Sequence, residues 1–560
     1  MLERLRRLLA NPWVQRAILA AVIVWVFWDG IWSGVPRSDQ VQYLHQVSQF
    51  DSLWDILSHS PSWNRTMPTG GDDYILYRPI LYLVLGTFYY LFRYNFVAWQ
   101  IAGLSLHIAV ALGLHLLLVQ GRLKRTVLPL MIALLFATGF FASELVLWNH
   151  IVGYVLFCTL DVYAVYFFLR YLQSDRRVDL AICGALSLLA EFTYEAGAIV
   201  NLLFAATLFA RSFYAPAPNG STTQSHRRTD RQGALLFLFV ALLFPLVSLI
   251  DLRVRGFGFS PRLHGLPLWP AILLAVEDAV LQIAFWLSTW LAPTVYHCTA
   301  IGRAICGVSK SGPTVLRLLN LLALALLAVG AILGLRRLRH GSVSLREPMF
   351  ALVLCAIFLF GYSMIIAIGR SVPKGLQYVL QASVYYSYIA NLAVCIGVAA
   401  AAGVGRARIC SVNVEPDHDP AGLEREPRKT HRRPEVGRRV VVALALLVIA
   451  NASGVRVLAR AYRYDFAAPR QDVIDRLLAW RKQVGDRTQR YFVVSPKCGG
   501  NETFWWFDEI RLRRNSGWRP PVTLADALWP EQSANLNAAR LHLTPESVDV
   551  IRCDEPIAGR

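Results

Sequence analysis

From Phe96 to Gln120 the chain reads FVAWQIAGLSLHIAVALGLHLLLVQ, and Arg122, Lys124 and Arg125 follow within a few residues. An uncharged apolar run of this length crosses a hydrocarbon layer of about 30 Å as one helix, since each helical residue adds about 1.5 Å. The basic cluster after it marks that end as cytoplasmic. Other stretches of the 560-residue chain repeat the pattern: 55% of residues are hydrophobic and 12% aromatic, and the apolar ones come in unbroken runs rather than in alternation. The composition therefore predicts a mainly α, polytopic membrane helix bundle. The formal net charge of +19 would suggest nucleic acid in a soluble protein. Here the arginines fall in short loops between apolar runs, so they read as topology signals and no nucleic-acid partner is expected.

Working outward from that span gives about eleven crossings. The first, Val14 to Gly34, follows Arg4, Arg6, Arg7 and Arg16. It is too long for a secretory signal and lacks a small-residue cleavage site, so it is expected to be a retained helix with a cytoplasmic amino terminus. Val35 to Arg78 is the first external loop, and Pro79 to Phe92 is short enough to lie at the interface. Val127 to Phe141 goes out and Ile151 to Leu172 returns. Leu180 to Val200, continued to Ala210, has the length of a tight helical pair, and the polar Ser212 to Gly233 reads as a disordered cytoplasmic loop.

Ala234 to Ile250 goes out again into a middle external loop over residues 253–313. Within that loop Trp269 to Pro293 is expected at the interface, because Glu277 and Asp278 interrupt it and a crossing there would invert every later loop. Val315 to Leu335, Met349 to Ile368, Tyr378 to Val404 and Val440 to Val457 complete the bundle over residues 1–459. Residues 460–560 mix amphipathic and extended patterns, with Tyr491 to Val494 a strand, as in a small extracytoplasmic α/β domain. Cys298, Cys306, Cys498 and Cys553 then face the oxidising side and are disulfide candidates, for instance Cys298 with Cys306 and Cys498 with Cys553. Arginine-rich, lysine-poor usage points to a bacterial plasma (inner) membrane.

Chemistry concentrates on the external side. Asp39, in the stretch Arg37 to Tyr43, is the candidate catalytic base, placed a few residues beyond the first helix. A hydroxyl attacking an anomeric carbon must lose its proton to such a group, and the departing phosphate must be met by cations or a metal. Tyr77 and Arg78 close the same loop at Pro79, where a guanidinium fork suits a phosphate at the membrane surface. Arg370 and Lys374 flank Pro373 in a loop on the outer face, against the positive-inside trend, which again suits a phosphate. Glu144 and His150 lie at outer helix ends, where they can reach a cavity floor. Glu191, Glu195, His107 and Asp161 are ionisable groups within or beside apolar runs, and His107 and His115 read as links between helices. Tyr378, Tyr385, Tyr386 and Tyr388 read as an interfacial aromatic belt.

The order of these features resembles the C-type (GT-C) glycosyltransferase superfamily. The features are an acid after the first helix, Tyr77-Arg78-Pro79 opening an apolar stretch, a helix with His107, and Ser143 to Trp148 in the second external loop. The likeness covers about the first 210 residues, and members of similar appearance include polyprenyl- and dolichyl-phosphate-sugar mannosyltransferases and aminoarabinose transferases. Leu189 to Gly197 is similar to the family's Ser-Lys-Glu or Thr-Lys-Gly stretch between paired helices, with Tyr194 in place of the lysine and Glu195 keeping the acid.

The resemblance implies a first external loop bearing the catalytic acid, an outer-face substrate cavity, inversion at the anomeric carbon and often a soluble carboxy-terminal domain. Asp39 stands alone where many relatives carry two adjacent acids, so a divalent metal is a possible but undefined cofactor. The expected partners are a polyprenyl-phosphate-linked sugar donor, membrane lipid, and a lipid, glycan or protein acceptor. The competing expectations are a non-catalytic assembly scaffold or a transporter of lipid-linked glycans. The chain shows no repeated halves of the kind many transporters carry.

Overall fold

A computed structural model describes residues 9–33, 52, 54–55, 58, 78–92, 95–120, 126–147, 152–214, 222–254, 262–263, 265–289, 346–372, 375, 384–397, 434–467, 539–543 and 548–552. Helix α1, Pro12–Ile31, starts where sequence chemistry asks it to: Asn11 is the cap, its Oδ1 accepting from Trp13 N at 2.9 Å, and Pro12 takes the first turn. Helices α2 (Pro79–Phe92) and α3 (Phe96–Gln120) follow, with Asn95 Oδ1 accepting from Ala98 N at 3.1 Å at the start of α3. The outward run expected from Val127 to Phe141 as one span is instead part of a bent pair, α4 (Leu128–Ala137) and α5 (Phe140–Leu147), meeting at 54°. At the break Thr138 Oγ1 donates back to Leu134 O at 2.8 Å.

Helix α6 (Val152–Ser174) is followed by the hairpin α7 (Arg177–Glu191) and α8 (Gly197–Tyr214), which is the helical pair the sequence suggested. Helix α9 spans Thr222–Val254, so the second half of the expected polar loop is helical. The reason is Asp230: it is buried, accepts from Tyr171 Oη at 2.7 Å and lies 3.5 Å from Arg211 Nε. Arg211 also pairs with Asp175, which gives the first turns of α9 a charged seat that composition alone conceals. Residues 215–221 of that loop lie outside the described residues.

A two-rung antiparallel ladder, β1 (Arg262–Leu263) with β2 (Leu266–Pro267), leads into α10 (Leu268–Ser288). Helix α11 (Arg346–Ile366) ends in a π-helical turn, Ala367–Ser371. A 3-10 turn, Val384–Tyr386, precedes helix α12, Ser387–Gly397, and α13 runs over Pro434–Ala461. Near the carboxy terminus, β3 (Ala539–Leu543) pairs antiparallel with β4 (Val548–Arg552).

Among the described residues seven helices are long and apolar enough to cross a membrane, or eight with the bent pair taken as one. The fold is a multi-pass membrane helix bundle. One of the seven is Leu268–Trp286, the stretch expected at the interface. Helices α2, α8 and α12 are shorter apolar helices. The expected span Val315 to Leu335, the strand Tyr491 to Val494 and the cysteines Cys298, Cys306, Cys498 and Cys553 lie outside the described residues.

One core runs through α1 and through α3 to α13. Gly30 lets α1 pack closely on α5, for a Cβ there would lie 2.6 Å from Leu147 Cδ2. Polar side chains bind helices together as expected. His107 has its Nδ1 2.7 Å from Tyr388 Oη and its Nε2 3.0 Å from Ala137 O, so a neutral ring accepts from the first and donates to the second. His115 Nε2 lies 2.7 Å from Gln15 Oε1, and Gln15 Nε2 donates to Thr126 O at 3.0 Å. Each such bond adds on the order of 1 kcal/mol or less between membrane helices.

Candidate active site

The site is assembled at the tip of the α7–α8 hairpin. Five residues, Phe192 to Ala196, reverse the chain there. Tyr194 N donates to Ala190 O at 2.9 Å and Gly197 N to Tyr194 O at 3.0 Å, so the turn closes tightly. Gly197 is required for this closure: a Cβ would lie 2.6 Å from Glu191 Cα and 2.8 Å from Glu191 N, both backbone atoms that cannot swing aside. Pro79 opens α2, and Ile80 N, one of the amides a helix start leaves free, donates to Phe192 O at 3.3 Å. The start of α2 is thereby docked on the hairpin tip.

This docking brings Arg78 and Glu195 together across 117 residues of sequence. Arg78 Nε donates to Glu195 Oε2 at 3.0 Å and Nη2 to Oε1 at 2.7 Å, a bidentate fork. The guanidinium carbon lies 4.4 Å from the centre of the Tyr194 ring, within cation–π range. Arg78 is buried rather than spread on the membrane surface, with side-chain exposure of 10% against 21% for Glu195. Burial, the largest single influence, would lower its pKa, but the Glu195 carboxylate and its hydrogen bonds together with Tyr154 and Tyr194 raise it overall and keep the guanidinium charged. The fork uses two of the five guanidinium N–H groups.

Tyr154, near the start of α6, stands at the centre of an aromatic wall. Its ring lies 4.8 Å from Tyr194, 5.3 Å from Tyr385 and 5.8 Å from Tyr386. Arg370 is half-buried within electrostatic reach of Tyr386, Tyr385, Tyr154 and Arg78. It belongs to the π-helical turn at the end of α11, not to a loop as the sequence suggested. A π turn fits the insertion of one extra residue at a functional position. Tyr362 Oη donates to Tyr386 O at 2.8 Å, fixing the 3-10 turn that carries Tyr385 and Tyr386. Trp286 of α10 packs on Tyr362 at 5.2 Å, and Gln282 Nε2 donates to Ser371 Oγ at 3.0 Å, so α10 braces the same turn as Arg370.

Tyr385 and Tyr386, in the turn before α12, and Tyr388, inside α12, therefore pack inward, and Tyr378 lies outside the described residues. Tyr386 and Tyr388 are buried, where an interfacial belt was expected. Tyr154 was missed by sequence reasoning; its only signal was a hydroxyl-bearing aromatic at the end of an apolar run. Glu191, by contrast, is structural: its carboxylate accepts from Asn201 Nδ2 at 2.7 Å and Phe244 N at 3.2 Å, joining α7, α8 and α9. Asp161 is buried, and its Oδ1 has no hydrogen-bond partner among the described residues. Glu144 lies on α5, which packs against the turn bearing Tyr385 and Tyr386, and its side chain lies outside the described residues. Asp39, Tyr77, His150 and Lys374 also lie outside them. Among the described residues no group of three or more His, Cys, Asp or Glu side chains converges as metal ligands would, so any metal here would depend on ligands such as Asp39.

No protein-family model matches the sequence, and no curated protein matches it. Solved structures similar to it include three of an oligosaccharyltransferase from Archaeoglobus fulgidus. The apo form shares 13% identity with a TM-score of 0.37, and the form tethered to an acceptor peptide containing the NVT sequon shares 13% with 0.36. The complex with an inhibitory peptide and a dolichol-phosphate shares 12% with 0.37. Each alignment covers 89% of this chain and 63% of the archaeal one, so the chain spans less than two thirds of the length of those enzymes. The likeness concerns the course of the chain alone. The protein is a multi-pass membrane helix bundle that brings Arg78 and Arg370 together with Tyr154, Tyr194, Tyr385 and Tyr386.

Proposed function

We propose that the chain is a C-type glycosyltransferase that moves a sugar from a polyprenyl-phosphate donor to a lipid, glycan or protein acceptor on the extracytoplasmic face. The observation that carries this is the convergence of Arg78 and Arg370 on Tyr154 inside an apolar bundle. Buried cations in a membrane protein are costly and usually serve an anion or a pathway. Arg78 is held by Glu195 with N–H groups to spare, which suits it to meet a second anion, and a phosphate at the membrane boundary fits. The tyrosine hydroxyls around it offer hydrogen bonds, and the rings offer faces, to a sugar.

In the proposed reaction an acceptor hydroxyl attacks the anomeric carbon from the side opposite the phosphate. Asp39 takes the hydroxyl proton as the new C–O bond forms, and the bond from the anomeric carbon to the phosphate oxygen breaks with its electrons leaving on the phosphate. Arg78 and Arg370, with Tyr77 and Lys374, stabilise that developing charge more in the transition state than in the donor. The configuration inverts. A divalent metal held with Asp39 would add charge stabilisation at the same oxygens. The topology proposed with this has the amino terminus cytoplasmic and residues 460–560 extracytoplasmic, in a plasma membrane.

The test is sugar transfer from a polyprenyl-phosphate donor to membrane acceptors by wild-type protein and Asp39→Asn, matched for expression and detergent stability. Loss of transfer in a stably folded variant supports Asp39 as base. Full activity of Asp39→Asn removes that assignment, and an inert wild type across donors removes the enzyme in favour of a scaffold or a transporter.

A further inference from the structure

Away from the site, α1 and α13 run side by side in the same direction. Arg456 Nη1 donates to Trp25 O at 3.0 Å, and farther along Arg463 Nη1 donates to Asp29 Oδ1 at 3.0 Å. On this flank opens a groove of about 630 Å³, lined by Ala20, Ala21, Val24, Trp25, Trp28 and Arg456. That size is within the ordinary range for a small-molecule site. Its floor is two alanines and a valine, its walls are two indoles about half exposed, and among the described residues its one charged lining side chain is Arg456, whose guanidinium lies 4.4 Å from the Trp25 ring centre.

The charge lies at one end. Arg456 and Arg460 are spaced i and i+4, so they share one face of α13, and Arg463 follows in a π-helical turn, Tyr462–Ala467. Arg460 is exposed, 5.9 Å from the Tyr464 ring. Arg438 and Arg439 mark the other end of the same helix, roughly 26 Å away at about 1.5 Å per residue. That separation is close to the ~30 Å hydrocarbon thickness, so Arg456 and Arg460 lie at headgroup level while Ala20 lies in the acyl region. Trp25, Trp28 and Trp32 flank the same level, as interfacial indoles do.

We propose that this groove holds one anionic diacyl phospholipid, an acyl chain lying along Ala20, Ala21 and Val24 between the two indoles and the phosphate resting on Arg456 and Arg460. Charge complementarity selects the headgroup, since basic pockets between membrane helices take acidic lipids. The groove favours a diacyl lipid over the carrier, because from Trp28 to Ala20 it runs only about 12 Å, the reach of part of one acyl chain.

The experiment is native mass spectrometry of the delipidated full-length protein titrated with phosphatidylglycerol or phosphatidylcholine. The first phosphatidylglycerol is expected to bind about thirtyfold more tightly, from two arginines near the headgroup at about 1 kcal/mol each. Arg456→Gln with Arg460→Gln should abolish the preference. Arg460→Gln alone, at an exposed position, reads the same effect if the double variant folds poorly. Ala21→Trp fills the groove, keeps every arginine and should lose the first tight lipid. Equal binding of the two lipids, or a preference that survives the arginine variants, overturns the proposal. So does a polyprenyl phosphate that binds wild type more tightly than phosphatidylglycerol does and loses that binding in Ala21→Trp, which would give the groove to the carrier lipid.

Discussion

Replacing Arg78 and Glu195 by Gln, singly and together, tests whether the hairpin tip is held by charge pairing. The fork is bidentate at 2.7 and 3.0 Å, and its side chains are 10% and 21% exposed, so water screens the pair little. Removing one partner leaves the other charge buried and uncompensated, which costs about 3 kcal/mol. Glu195→Gln should therefore destabilise by that amount, and Arg78→Gln by a similar amount, its loss including the contact with the Tyr194 ring. The double variant leaves two neutral amides able to hydrogen-bond, so its cost should stay near ~3 kcal/mol rather than doubling. The coupling energy expected is about 2–3 kcal/mol. Equilibrium unfolding of the purified protein in mixed micelles measures all four corners, provided the slopes agree. A coupling below ~0.5 kcal/mol, the range of independent sites, refutes the claim that this pair fixes the tip.

Gly197→Ala should destabilise by about 3 kcal/mol, because the methyl meets the Glu191 backbone; a thermal midpoint indistinguishable from wild type would show that the turn can relax. Tyr388→Phe removes the partner of His107 Nδ1 and should cost ~1 kcal/mol of stability while leaving transfer kinetics unchanged, measured on the same preparation. Asp230→Asn withdraws the carboxylate shared by Tyr171 and Arg211 and should cost ~1.5 kcal/mol, with increased proteolysis at the start of α9; undiminished protection there would mean that turn is held by other contacts.

Apolar length made the spans legible. Phe96–Gln120, Val152–Ser174 and the α7–α8 hairpin follow from runs of hydrophobic residues whose ends carry charge or turn residues. Local pattern failed where long-range contacts decide. The polar stretch from Thr222 onward is helical because Asp230 meets Tyr171 and Arg211, residues 59 and 19 positions earlier. Arg78 and Glu195 were both recognisable as candidates, yet nothing local says that they touch, since the fork depends on how α2 docks on another helix pair. Tyrosines near the ends of spans look alike whether they face lipid or a cavity, so Tyr385 and Tyr386 read as a belt until the turn that carries them is seen packed against Tyr154.

The hairpin of 15 and 18 residues has a consequence for the bilayer around it. At about 1.5 Å per residue the two arms are roughly 22 and 27 Å long, short of the ~30 Å hydrocarbon slab. Such hydrophobic mismatch is relieved by thinning the lipid locally. The leaflet should dimple over Arg78 and Glu195, letting headgroups and water sink toward them. A lipid-borne phosphate would then meet the guanidinium without leaving its own depth, and turnover should fall as the surrounding lipids are made longer.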